Sequence, residues 1–196
     1  MSSTNRKNAK ERHKSDYYVT PQKCIKDFLD AFLEDKKSLS LDELLILDPC
    51  AGGDSQHPMS YPEVLIRDFG VKPLYLTTVD IREDSLAQWK GDFLRGSSGL
   101  DYDLIITNPP FNLAKEFITK SLEYVPDGGY VIMLLRLNFL GSKARKQFLI
   151  DHMPKYIYVH NRRMSFTDDG KTDSIEYMHA VWEKGYHPKY SLTRII

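Results

Sequence analysis

The sequence predicts an α/β fold, with a mostly parallel central sheet, helices on both faces and two further strands toward the C-terminus. Short runs rich in β-favouring residues at 44–47, 74–79, 104–107 and 130–135 read as buried strands. Apolar residues at helical spacing fill several of the segments between them. The first two runs begin about 30 residues apart, the length of one βαβ unit. Glycines, acids and prolines cluster just after these strands, where open α/β sheets bind ligands.

Residues 1–16 hold Arg6, Lys7, Lys10, Arg12 and Lys14 with few apolar side chains. Such a tail reads as disordered, or as a basic arm adding phosphate contacts. Residues 17–196 then form a single domain. Thr20 is expected as the N-cap and Pro21 as the first residue of a helix whose buried face is Ile25, Phe28, Leu29, Phe32 and Leu33. The strand at 44–47 runs into Asp48-Pro49-Cys50-Ala51-Gly52-Gly53-Asp54, which is not a G-x-G-x-x-G phosphate cradle. A small-residue loop with an acid at the strand end suits an adenosine bearing a cationic group; a plain tight turn is the alternative.

Residues 61–69 read as a helix stopped by Gly70, and 74–79 as a strand ending at Asp80, where a βαβ unit holds ribose hydroxyls. A helix is expected over 83–90. Beyond it, Asp92 is a candidate acceptor for an exocyclic amino group and Phe93 an apolar face for a purine ring, although turn chemistry would also select Gly91-Asp92. The strand at 104–107 stops at Asn108-Pro109-Pro110-Phe111, because proline cannot continue a sheet ladder. A helix over 113–125 and the strand at 130–135 follow, and 156–160 and 175–182 read as two more strands. Between Arg136 and Arg163 the cations Arg136, Lys143, Arg145, Lys146, Lys155, Arg162 and Arg163 face only Asp151, which points to a nucleic-acid contact surface. Phe166 is the aromatic of the polar loop after Arg163.

Composition excludes several classes. Formal net charge is zero, so nucleic-acid binding must rest on local patches. Cys24 and Cys50 sit in no CxxC or Cys/His cluster, so neither a metal site nor a disulfide framework is expected. No run approaches a membrane span, and the polar start lacks the core of a secretion signal; a cytoplasmic location is the default expectation.

Together these stretches resemble S-adenosylmethionine-dependent amino-methyltransferases, chiefly those acting on adenine N6 in DNA. Asn108-Pro109-Pro110-Phe111 looks like their catalytic motif, and Asp48-Pro49-Cys50-Ala51-Gly52-Gly53 like their cofactor loop. Tyr18-Val19-Thr20-Pro21 resembles the segment contacting the methionine end, while Asp80 and Asp92-Phe93 fall at the ribose and adenine contacts. The order matches over most of residues 17–182, and the stretch from Ser165-Phe166-Thr167 to Trp182 looks most like small phage-encoded members. Asp54 departs from the pattern, standing where many relatives have a further glycine. The chain also has no room for a separate target-recognition domain.

The resemblance implies a Rossmann-like class I methyltransferase fold with a C-terminal antiparallel hairpin, S-adenosylmethionine as cofactor, and DNA as partner without metal or membrane. It implies that Asn108 and Pro109 accept the hydrogens of an adenine amino group while Phe111 stacks on the flipped-out base. Arg136, Lys143, Arg145, Arg163 and Phe166 are the expected nucleic-acid contacts. The alternatives are an RNA adenine-N6 or protein glutamine methyltransferase on the same fold, a non-catalytic nucleic-acid-binding module and, more remotely, a nicotinamide oxidoreductase.

Overall fold

Side chains on the central strands alternate between two helical layers. The computed structural model describes residues 19–97, 99, 101–166, 172 and 174–196. In it, strands β1 (Ile46–Asp48) and β4 (Leu104–Thr107) are wholly buried, and β2 (Leu76–Asp80) and β5 (Tyr130–Arg136) largely so. Ile46, Leu104, Ile106 and Ile132 pack on α1 (Gln22–Asp35) and α2 (Ser60–Phe69) through Ile25, Phe28, Leu29, Phe32, Tyr61, Val64 and Leu65. Leu47, Ile105, Val131 and Met133 pack instead on Phe117 and Ile118 of α3 (Ala114–Glu123) and Phe148 and Leu149 of α4 (Lys146–Asp151). The two-residue period of a strand thus places helices on both faces.

β3 (Trp89–Lys90), β6 (Tyr156–Val159), β7 (Tyr177–Glu183) and β8 (Leu192–Ile195) complete one sheet in the order β3-β2-β1-β4-β5-β7-β6-β8. From β3 to β5 all neighbours are parallel. β7 runs antiparallel to both β5 and β6, and β8 lies parallel to β6. This is the mostly parallel sheet with a C-terminal antiparallel hairpin that the sequence predicts. β1 and β4 are adjacent although their next neighbours lie on opposite sides, so a crevice opens at their carboxyl ends.

Two local expectations fail, and one strand is unforeseen. Residues 83–90 do not form a helix. Their polar groups bond outward: Leu86 N–H donates to Gly52 O at 3.0 Å, Gln88 N–H to Thr78 Oγ1 at 2.9 Å, and Gln88 Oε1 accepts from Thr78 N–H at 3.1 Å. Trp89 and Lys90 then add a short edge strand. Thr20 is not the cap of α1; Pro21 takes that position without a side-chain cap, and the helix starts at Gln22. β8 has no forerunner in the sequence pattern, since Leu192 and Ile195 are exposed and its order comes from pairing with β6. Elsewhere Gly70 ends α2 in the left-handed conformation, as expected. The helix expected over 113–125 begins with a 3₁₀ turn at Phe111–Leu113 and ends at Glu123.

A buried polar chain crosses the α1 face. Tyr61 Oη lies 2.9 Å from His179 Nε2, and His179 Nδ1 lies 2.8 Å from His160 Nε2. His179 also stacks on Phe28 at 4.1 Å between ring centres. Both imidazoles are buried. Among the described residues, no helix is long and apolar enough to cross a membrane, and no three His, Cys, Asp or Glu side chains gather to hold a metal.

Candidate active site

β1 and β4 deliver their C-terminal residues to one crevice, and two contacts knit them there. Asp48 is fully buried; its Oδ1 accepts from Thr107 Oγ1 at 2.6 Å and from Cys50 N–H at 3.1 Å. Its second oxygen, Oδ2, is buried with no hydrogen-bond partner among the described residues. Burial pushes the Asp48 carboxyl up to about 7, against the lowering effect of the Thr107 and Cys50 bonds. A buried acceptor left open at a strand end is a place for a cationic or hydrogen-bonding ligand.

The next residue of β4's turn is held from the other end of the chain. Asn108 Nδ2 donates to Thr20 Oγ1 at 3.0 Å, and Thr20 is itself buried. Among the described residues neither Asn108 Oδ1 nor the Pro109 carbonyl accepts a hydrogen bond, whereas the Pro110 carbonyl takes Leu113 N–H at 2.9 Å. Proline's fixed φ and the 3₁₀ turn after it stiffen this tetrapeptide. Phe111 is half-buried; the Arg136 guanidinium lies 4.7 Å from its ring centre, and Tyr177 packs at 5.7 Å.

The glycine loop is bound to β2. Asp80 Oδ2 accepts from Gly52 N–H and Oδ1 from Arg82 N–H, both at 2.8 Å, and Ala51 N–H donates to Val79 O at 3.0 Å. Each carboxylate oxygen retains a lone pair for a further donor. Gly52 and Gly53 have φ of 67° and 75°. A Cβ on Gly53 would come within 2.8 Å of Met59 Cγ and 3.0 Å of Leu86 Cβ, so packing inside the protein demands glycine there. Asp54 closes the loop by accepting Gln56 N–H at 2.8 Å and His57 N–H at 2.9 Å, bonds that hold its carboxyl below the usual range.

Other expected contacts fall differently. Tyr18, Thr167 and the basic stretch at 1–16 lie outside the described residues. Asp92 caps its own turn, with Oδ1 accepting Leu94 N–H at 3.0 Å. The Phe93 ring belongs to the core, stacked on Phe117 at 5.4 Å and edge-on to Tyr124 at 5.6 Å, so it does not offer a free face to a purine. Exposed apolar side chains near that position are Ile81, directly after Asp80, and Trp89. An apolar residue following a strand-end acid was the available signal for Ile81.

Two cations of the basic stretch are ion-paired. Lys155 pairs with Glu183 at 2.7 Å and Arg162 with Asp27 at 3.4 Å, acids that sequence distance hides. Lys143 and Arg163 are exposed. Phe166 packs edge-on against Tyr177 at 4.9 Å, the ring that also meets Phe111. Arg136 and Arg145 instead line a cavity of about 360 Å³ together with Phe111, Asn138, Phe139 and Ser142.

No protein-family model matches the sequence, and no curated protein sequence matches it. Solved structures do. A proposed class I S-adenosylmethionine-dependent methyltransferase from Listeria monocytogenes superposes with a TM-score of 0.69 at 16% identity, over 95% of this chain and 68% of the other. A proposed RNA methyltransferase from Pyrococcus horikoshii gives 0.63 at 15% identity, over 86% and 88%. The M protein of the type I restriction enzyme EcoKI gives 0.52 at 14% identity, over 78% of this chain and 43% of that one. At such identities the likeness shows the fold: a Rossmann-like class I methyltransferase fold.

Proposed function

We propose that this chain transfers a methyl group from S-adenosylmethionine to the N6 amino group of a flipped-out adenine in DNA. One observation carries the reading: Asn108 spends its amide N–H on Thr20 and keeps its carbonyl oxygen open beside the open carbonyl of Pro109. Two acceptors side by side match the two hydrogens of an exocyclic amino group. Drawing both hydrogens to one side concentrates the nitrogen lone pair, which is otherwise delocalised into the ring. No general base is needed for this; positioning and charge complementarity supply the rate. Phe111 would support the base after it leaves the duplex, a contact worth roughly 1–3 kcal/mol, against the few kcal/mol that flipping costs.

The residues also suit the cofactor. Asp48, with its open buried oxygen, would hold the cationic part of S-adenosylmethionine; the Ala51-Gly52-Gly53 loop and Asp80 would hold the nucleoside. When bound, the cofactor supplies an electrophilic methyl group on a sulfonium. Fold neighbours described as an RNA methyltransferase and as the M protein of a type I restriction enzyme support a nucleic-acid substrate.

Incubating the protein with labelled S-adenosylmethionine and adenine-containing DNA, single- or double-stranded, should place label on N6-methyladenine after digestion. Label appearing only in RNA would move the substrate; no label in any nucleic acid would end the reading. Thr20→Val tests the positioning step. Removing one hydrogen-bond acceptor at nearly constant shape should lower kcat by roughly 3- to 10-fold with KM for the acceptor and the melting temperature little changed, and Thr20→Ser should restore it. An equal loss in Thr20→Ser would show that the hydroxyl is not what matters.

A further inference from the structure

We propose that the cavity beside Phe111 seats a backbone phosphate of the strand carrying the target base, held between Arg136 and Arg145; this rests on the nucleic-acid reading above. The cavity is framed by two arginine–phenylalanine stacks. Arg136 lies 4.7 Å from the Phe111 ring centre and Arg145 lies 4.6 Å from that of Phe139. A guanidinium stacked on a ring keeps its in-plane N–H donors free for a planar or bidentate acceptor.

Among the described residues neither arginine pairs with a carboxylate, and Arg136 Nε is buried with no hydrogen-bond partner there. Buried donors are normally satisfied, so an unpaired one on an arginine that lines a cavity marks a side chain with donors to spare. Among the described residues the cavity lining contains no acid, and Asn138 and Ser142 add neutral polar groups. Two cations without a counter-charge among those residues favour an anion. The cations Lys155 and Arg162 of the same stretch differ on this point, because each is ion-paired, to Glu183 and to Asp27.

Position identifies which anion. Phe111 belongs both to this cavity and to the turn that presents Asn108, so a group seated here lies one side chain from the acceptor clamp. A volume of about 360 Å³ holds a phosphate with part of its sugar. A strand anchored here needs only its next nucleotide rotated inward to bring a base to Asn108. Such a seat would set the register of the strand at the clamp.

The test is an anisotropy titration of the full chain with a labelled single-stranded oligodeoxynucleotide containing one adenine, at several salt concentrations. Arg145→Gln should weaken binding roughly tenfold and reduce the slope of log affinity against log salt by about 0.7, one phosphate contact. Lys189→Gln removes a charge in the loop after β7, at the other end of the strands from the cavity because Tyr177 pairs with Arg136 and Glu183 with Tyr130, and should do neither. Replacing the phosphates one at a time with methylphosphonate should reveal one position that weakens the wild type equally and has no further effect in Arg145→Gln. Arg145→Lys keeps the charge without the planar fork and should fall between. If the wild type binds the oligonucleotide but all these changes behave like Lys189→Gln, the phosphate seat is wrong and the nucleic-acid reading stands. If the wild type binds no oligonucleotide, both fall.

Discussion

Replacing Asn108 with alanine should lower methyl transfer by two to three orders of magnitude or more, while cofactor affinity stays nearly unchanged. The size follows from the kind of contact removed. Taking away one preorganised hydrogen-bonding group from a reacting centre typically costs 10²- to 10³-fold in turnover. Here the group is one of the two acceptors of the proposed clamp, and the Pro109 carbonyl alone cannot turn the lone pair. Cofactor affinity is spared because Asp48, Asp80 and the glycine loop are held by Thr107, Cys50, Gly52 and Arg82, not by Asn108. Single-turnover kinetics and calorimetric titration with S-adenosylmethionine separate the two quantities. Loss of both together would make Asn108 a structural residue and remove the basis of the proposed chemistry.

Acid should expose two buried sites that oppose each other. Burial holds His160 down to about 4, with Asp27 resisting and Arg162 assisting, and holds His179 well below its ordinary 6.5. As pH falls below 6.5 the unfolded chain takes up protons that the folded protein refuses, so stability is lost. For His160 alone the loss reaches about 3 kcal/mol by pH 4. Asp48 acts with the opposite sign. Its folded value of about 7 lies above its ordinary 3.8, so the folded protein binds the proton first and gains about 3 kcal/mol as pH drops from 7 to 4.

The wild-type stability curve between pH 7 and 4 should therefore fall less steeply than the two imidazoles alone would make it. Asp48→Asn keeps the shape and removes the compensating proton, so its stability should fall by about 3 kcal/mol or more over that range. Urea unfolding at each pH measures both curves. Parallel curves for wild type and variant would show that Asp48 does not take up a proton in this window. The same ionisation bears on the ligand: a cationic cofactor held by Asp48 requires the carboxylate, so its affinity should weaken as pH falls below about 7.

Much of this frame is legible without coordinates because buried parallel strands must be apolar on both sides. Residues 104–107 and 130–135 therefore announce β4 and β5, and the prolines and glycines after β1 and β4 mark where the ladder stops. The amphipathic spacing of Ile25, Phe28, Leu29 and Phe32 likewise gives α1 and its buried face, all four residues being fully buried. Residues 83–90 misled because their helical propensity is weaker than the bonds they make to Thr78 and Gly52 across the sheet edge.

By itself, then, the sequence determined the fold class, the places where strands end and the residue types presented there, since periodicity and chain-breaking residues act locally. Only the tertiary structure decided who faces whom. Thr20 and Asn108 are 88 positions apart, and nothing local distinguishes a hydroxyl that caps a helix from one that orients an amide. Glu183 and Asp27 cancel Lys155 and Arg162 from distant segments, leaving Arg136 and Arg145 as the cations that share an open cavity. Phe93 went to the core and Asp48 lost its water for the same reason. Burial is a property of the assembled layers, and it sets which donor, ring or carboxylate remains free to meet a ligand.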